Sequence, residues 1–259
     1  MRWSFGPFGV KDLFTLVNLL GGVFGVYFVM EQRLELAGAA VLAGYLFGDT
    51  LDGVVARLTH TSNQFGSELD TATDHFVQAI VPAIIVFAVY TRGGHRVLGL
   101  VLLAVVIACA TVRQALFTVA KMGDPLMYCG LPRTVSGFAS MALVLSRFFF
   151  RQDAISFAVG GVVISAMAIM GLLPIPYMTH RGARRMQTYV KALVAAFLVT
   201  PTVVFFVARD FTFDVLFVWT FGYALFAWAP LHRDERKAFF VRYRQWAVEV
   251  SNANDLVDP

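Results

Sequence analysis

Residues 48–75 read GDTLDGVVARLTHTSNQFGSELDTATDH, and they interrupt a chain otherwise built from long apolar runs. Upstream lies LELAGAAVLAGYLF and downstream FVQAIVPAIIVFAVY, both apolar enough to sit in lipid. Within and between these runs stand Asp49, Asp52, Asp70 and Asp74, with Arg57 and Glu68 close by. An intramembrane carboxylate is costly, roughly 2.5–3.5 kcal/mol at a helix centre, and marks a functional position by default. Four within one hairpin therefore need a shared explanation.

The surrounding chain supports a bilayer setting. Of 259 residues, 58% are hydrophobic and only 15% charged, whereas soluble domains carry about 25% charged residues. Each spanning helix needs roughly 20 apolar residues. The apolar runs predict about eight, near 13–30, 34–57, 68–91, 96–120, 131–150, 154–176, 188–208 and 212–230. The expected fold is an all-α integral membrane protein, a polytopic bundle with its site open to the cytoplasm. Residues 1–230 form its transmembrane domain, with 1–12 as an interfacial segment, and 231–259 a cytoplasmic tail. No cleavable leader is evident before the first run. Cys109 and Cys129 do not make a disulfide framework, and no nucleic-acid partner is expected.

Basic residues divide roughly two to one in favour of the side holding both termini, which the positive-inside rule assigns to the cytoplasm. Arg2, Lys11, Arg57, Lys121, Arg133, Arg181, Arg184, Arg185 and Lys191 lie on that side. Arg33, Arg92, Arg96, Arg147, Arg151 and Arg209 lie on the other. The aspartates then cluster near the cytoplasmic face.

Asp49, Asp52, Gly53 and Ala56 share one helix face at i, i+3, i+4 and i+7, and Asp70 and Asp74 share another at i and i+4. A loop of about ten residues makes the two helices antiparallel neighbours, so the acidic faces meet at one level. Two ionised carboxylates about 5 Å apart repel by roughly 3 kcal/mol at an effective dielectric of about 20. Arg57 supplies one positive charge, and protons or metal ions must supply the rest. Oxygen-only ligands suit hard ions such as Mg²⁺, Mn²⁺ or Ca²⁺, and four carboxylates suffice for two metals of the kind used in displacement at phosphorus. Gly53 and Ala56 leave a slot beside them, although small residues also serve plain helix packing.

Written out, Asp49 to Asp74 spell D-x2-D-G-x2-A-R-x8-G-x3-D-x3-D with every position filled. This pattern resembles the signature of the CDP-alcohol phosphotransferases, integral membrane enzymes of phospholipid synthesis. The resemblance implies a helical bundle that binds a CDP-linked lipid and two divalent metals, Mg²⁺ or Mn²⁺. It implies that an alcohol hydroxyl attacks the lipid-side phosphorus and CMP leaves. By position, Asp49, Asp52, Asp70 and Asp74 would be metal ligands, and Asp74 also the general base. Gly53 and Ala56 would admit the CDP moiety, with Arg57 and Gly66 holding its nucleotide end. Homodimers are common in the family so resembled.

Looser similarity over about residues 11–185 points to the membrane-embedded phosphatidylserine synthase branch. It rests on FTLVNLLGG, the Pro82-Ala83 pair, ACATVRQALF, YCGLPRTVSGFAS and LLPIPYMTHRG. The implied substrates are CDP-diacylglycerol and L-serine. Where that branch has Ser-Pro after GLP, this chain has Arg133-Thr134. A guanidinium there suits a serine carboxylate or, equally, a phosphate on another acceptor such as glycerol 3-phosphate or inositol phosphate. Arg113, mid-span, is expected to face the bundle interior and meet either a substrate anion or a helix partner, and Arg181 is a third candidate for the acceptor. Asn18 and Thr15 stand ready to bond the nucleotide or to bridge helices. His75 and Gln78 are read as packing on another side of their helix. A prokaryotic cell membrane is the expected setting. The rival reading from another class is a divalent-cation or proton transporter, but the acids gather near one face and no second half repeats them.

Overall fold

A computed structural model describes residues 8–51, 63–119, 127–149, 153–178, 184–228 and 231–255. The protein is an all-α membrane protein, with one two-stranded ribbon among the described residues. Helix α1 spans Val10–Met30 and α2 Leu34–Gly44, the latter running on through a π-helical turn, Tyr45–Asp49. Helix α3, Gln64–Arg92, carries a second π turn at Phe76–Ile80. Then follow α4 (Arg96–Val119), β1 (Met127–Cys129), α5 (Arg133–Leu145) and α6 (Ala154–Met170). Strand β2 (Pro176–Met178) precedes α7 (Arg184–Val207), α8 (Thr212–Phe226) and α9 (Arg233–Asp255).

Three of these, α1, α3 and most of α4, are long and apolar enough to cross a membrane, and α5, α6 and the second half of α7 are shorter apolar helices. In α3, 61% of the apolar window is buried, against 22% in α1 and 17% in α4. The second half of α3 is therefore the spine, and α1 and α4 present their apolar sides outward. On α1 the pattern is that of a lipid-facing helix. Leu13, Leu20 and Phe24 are more than half exposed, while Asp12, Thr15 and Asn18 are fully buried. A water-soluble bundle would reverse that arrangement.

Small residues set the spacing at the site end. Helices α1 and α2 cross glycine on glycine, and a Cβ added to Gly21 would lie 2.5 Å from the Gly44 Cα. At the crossing of α5 and α3, a Cβ on Gly137 would overlap the carbonyl oxygen of Gln78 inside the second π turn. The neighbour there is backbone and cannot rotate away. Gly137→Ala is expected to destabilise the fold by about 1–3 kcal/mol, read as a lowered thermal midpoint of the purified protein. A midpoint equal to that of the parent would show that the crossing is looser than this.

The elements depart from the sequence expectation in three places. Helix α5 stops at Leu145 rather than near 150. The Ser146 hydroxyl donates to the Leu143 carbonyl at 2.7 Å, and Asp214 takes both the Arg147 backbone N–H and its Nε at 2.7 Å. Helix α6 stops at Met170, just before Gly171 and ahead of Pro174. The residues after it form β2, which pairs antiparallel with β1 in the register Met127–Met178, Tyr128–Tyr177 and Cys129–Pro176. Tyr223 Oη donates to Met178 O at 2.9 Å and holds this ribbon to α8.

Candidate active site

The carboxylates converge because of where two helices begin and end. Asp49 closes the π turn at the end of α2, and Asp70 and Asp74 stand one turn apart near the start of α3. Asn63 caps α3, its Oδ1 accepting the Gly66 N–H at 2.7 Å. That cap fixes where the helix starts and hence which way its first two turns face. One carboxylate oxygen from each of Asp49, Asp70 and Asp74 lies within 4.8 Å of the other two. Both π turns flank the cluster, a placement common at functional sites because the extra residue re-aims the side chains around it.

Asp74 is held on both oxygens. Its Oδ1 accepts from Asn18 Nδ2 at 3.2 Å and from Gln78 Nε2 at 2.8 Å, and its Oδ2 faces Arg133 Nη2 at 3.5 Å. Gln78 is fixed in turn by the Thr134 hydroxyl, which donates to its Oε1 at 2.5 Å. Four helices, α1, α3, α4 and α5, meet around this one carboxylate, since Arg133 Nη1 also bonds Gln114 Oε1 on α4. The Arg133 Nε is buried with no hydrogen-bond partner among the described residues. A buried donor left in that state costs about 1–3 kcal/mol unless an acceptor arrives.

Gln78 corrects the sequence reading. It is not packing on another side of the helix; it lies one turn from Asp74 and bonds it. The i, i+4 spacing alone was enough to place it there. His75 does face away, its Nε2 lying 3.3 Å from the Thr111 hydroxyl on α4. Thr134 and Gln114 join the site through tertiary contacts, Thr134 to Gln78 and Gln114 to Arg133, that no spacing in the sequence marks.

Asp52, Gly53, Ala56, Arg57 and Arg181 lie outside the described residues. Gly66 is described and buried against α1, where a Cβ would overlap Asp12 Oδ1 and crowd Lys11 Nζ. Asp12 and Lys11 pair at 3.2 Å beneath it. Arg113 Nη1 donates to the carbonyls of Cys129 at 2.7 Å and Gly171 at 2.6 Å. It thus ties α4 to β1 and to the end of α6, one layer behind Arg133.

Three carboxylates with oxygens this close, and one guanidinium beside them, leave an excess of negative charge. The donors are all oxygen, and their mutual spacing suits a hard divalent ion bound between them. Asp49, Asp70 and Asp74 are the residues that would hold it. When bound, such an ion offers charge stabilisation to a phosphoryl group and its leaving oxygen.

A family model described as CDP-alcohol phosphatidyltransferase matches residues 9–220. The chain belongs to that family. It is an enzyme of the CDP-alcohol phosphotransferase type, and its matched segment contains every described site residue but ends before α9. The CDP-diacylglycerol–serine O-phosphatidyltransferase of Helicobacter pylori is 22% identical over 186 residues, covering 71% of this chain and 76% of that protein. The protein of the same name from Bacillus subtilis is 22% identical over 181 residues, 69% of this chain and 96% of its own length. That from Saccharomyces cerevisiae is 30% identical over 151 residues, about half of each chain at 52%.

Proposed function

We propose that this enzyme transfers the phosphatidyl group of CDP-diacylglycerol to the hydroxyl of L-serine, releasing CMP and forming phosphatidylserine. The observation that carries the reading is the convergence of Asp49, Asp70 and Asp74 within 4.8 Å, with Arg133 set directly beside Asp74. Two divalent ions, Mg²⁺ or Mn²⁺, are the proposed cofactors, with Asp52 completing the ligand set. Gly53, Ala56, Arg57 and Gly66 are proposed to receive the CDP end. The protein is proposed to sit in a prokaryotic cell membrane with both termini and the site facing the cytoplasm.

In the reaction, a bond forms between the serine Oγ and the lipid-side phosphorus. The bond from that phosphorus to the bridging oxygen breaks, and CMP departs with the electron pair. The serine hydroxyl proton passes to Asp74. Asn18 and Gln78 keep that carboxylate aimed by donating to its Oδ1, as orientation of a general base requires. Arg133, with Nε unbonded among the described residues and Nη2 loosely held at 3.5 Å, is proposed to receive the serine carboxylate. Arg113, one layer behind, is proposed to keep the ribbon and Arg133 in register rather than to touch the acceptor.

The same guanidinium gives a second reading its one specific support. A phosphate on glycerol 3-phosphate or inositol phosphate would meet Arg133 as well as a carboxylate does. CMP release from CDP-diacylglycerol by purified enzyme, with Mg²⁺ or Mn²⁺ and each acceptor in turn, separates the two. Serine alone is expected to stimulate release. Stimulation by a phosphorylated acceptor, with serine inert, assigns the enzyme to a sister reaction.

A further inference from the structure

Helix α9 lies beyond the segment matched by the family model, yet it is anchored at the site end of the bundle. Leu231 and Phe239, 3% and 0% exposed, pack with Met127 of β1 and Met178 of β2. The same ribbon leads through Leu131 and Pro132 into Arg133. With Phe239 facing the ribbon, the opposite side of the helix is exposed. At 100° per residue, Ala247, Phe240, Arg233, Arg244, Lys237, Val248 and Val241 fall within an arc of about 120°. Every one of them is exposed, Phe240 to 43%, Val241 to 57% and Val248 to 59%.

From Arg233 to Val248 that arc is mixed apolar and basic and carries no acid. Glu235 and Glu249 lie well outside it, and Asp234 stands at its edge in the first helical turn, where it complements the helix dipole. A helix in water does not gain from turning a phenylalanine and two valines outward beside three cations. A helix lying in the head-group layer does: its apolar side chains reach the acyl boundary while Lys and Arg extend to the phosphates. We infer that α9 is an interfacial helix that docks through this arc on an anionic bilayer surface, and that it thereby holds the β1–β2 ribbon over the aspartate site. The occupant is the membrane to which the rest of the chain already belongs, and the sign of the arc selects acidic head groups.

The test uses the full chain in lipid nanodiscs, with Cys109→Ala and Cys129→Ala as background. A spin label is placed at Val248→Cys or at Glu249→Cys, and its collisions with oxygen and with a water-soluble nickel chelate are compared. In discs with a third phosphatidylglycerol, the oxygen-to-nickel ratio is expected to be roughly tenfold higher at 248 than at 249, the mark of a helix half sunk in the interface. The contrast should shrink in phosphatidylcholine discs. It should shrink equally when Lys237→Glu and Arg244→Glu are introduced together, with the thermal midpoint unchanged. Equal nickel access at both positions in anionic discs would place α9 in water and overturn the inference. Immobile labels inaccessible to both reagents would assign the arc to a protein contact instead. A contrast indifferent to lipid charge would overturn the anionic specificity.

Discussion

Purified Asp74→Asn enzyme is expected to release CMP at least about a thousandfold more slowly than the parent, with helicity and thermal midpoint preserved. The substitution is nearly isosteric, and an amide oxygen can still accept from Asn18 and Gln78 at the Oδ1 position. What disappears is the charge. A general base contributes roughly 10²–10⁴-fold, and the same carboxylate belongs to the cluster proposed to hold a cation. Loss of electrostatic stabilisation at one such position costs a further 10²–10³-fold or so, so a thousandfold is a floor that lies below the product of the two effects. The Arg133 contact is also lost, because an amide NH₂ facing a guanidinium repels where the carboxylate attracted. The measurement is initial-rate CMP release at saturating Mn²⁺, with Asp12→Asn as a comparison for a buried aspartate outside the cluster. An Asp74→Asn enzyme within tenfold of the parent would remove Asp74 from both roles.

The parts of this site that were legible in the sequence are those whose geometry follows from regular helix. Asp49, Asp70 and Asp74 could be placed together because i, i+4 spacing on antiparallel neighbours leaves few alternatives, and the structure brings an oxygen of each within 4.8 Å. The apolar runs likewise anticipated the order of the helices, since spanning length is a strong signal. What stayed hidden depends on departures from regularity. Two π turns sit at Tyr45–Asp49 and Phe76–Ile80, and no residue pattern announces them. The step from Gln78 to Thr134 leaves from inside the second of these turns. Strands of three residues, Met127–Cys129 and Pro176–Met178, are too short to show a period of two. Their pairing joins residues distant in the chain, Met127 with Met178 and Tyr128 with Tyr177. Ser146 illustrates a third limit. Phe148 and Phe149 prolong the apolar run, but one hydroxyl bond and the Asp214–Arg147 pair end the helix before them. Local capping chemistry overrides hydropathy at that point.

Arg133→Ala should raise the KM for serine about a hundredfold while leaving the KM for CDP-diacylglycerol within roughly threefold. A guanidinium–carboxylate contact at a shielded site contributes about 1.5–3 kcal/mol, and a hundredfold corresponds to about 2.7 kcal/mol. The position favours such a contact. Arg133 is the first residue of α5, its side chain is only 16% exposed, and its Nε has no partner among the described residues. Among the described residues its closest acceptor is Gln114, and its distance to Asp74, 3.5 Å, leaves that pair weak enough to be exchanged for a substrate anion. Arg133→Lys keeps the charge without the planar fork and should fall between the two, nearer the alanine variant. The split between the two KM values carries the discrimination. If Arg133 instead served only to orient Asp74, alanine would lower kcat with both KM values nearly unchanged, and lysine would restore most of it. A rise in the KM of a phosphorylated acceptor, in an enzyme that ignores serine, would retain Arg133 as the anion clamp and change only the anion it holds.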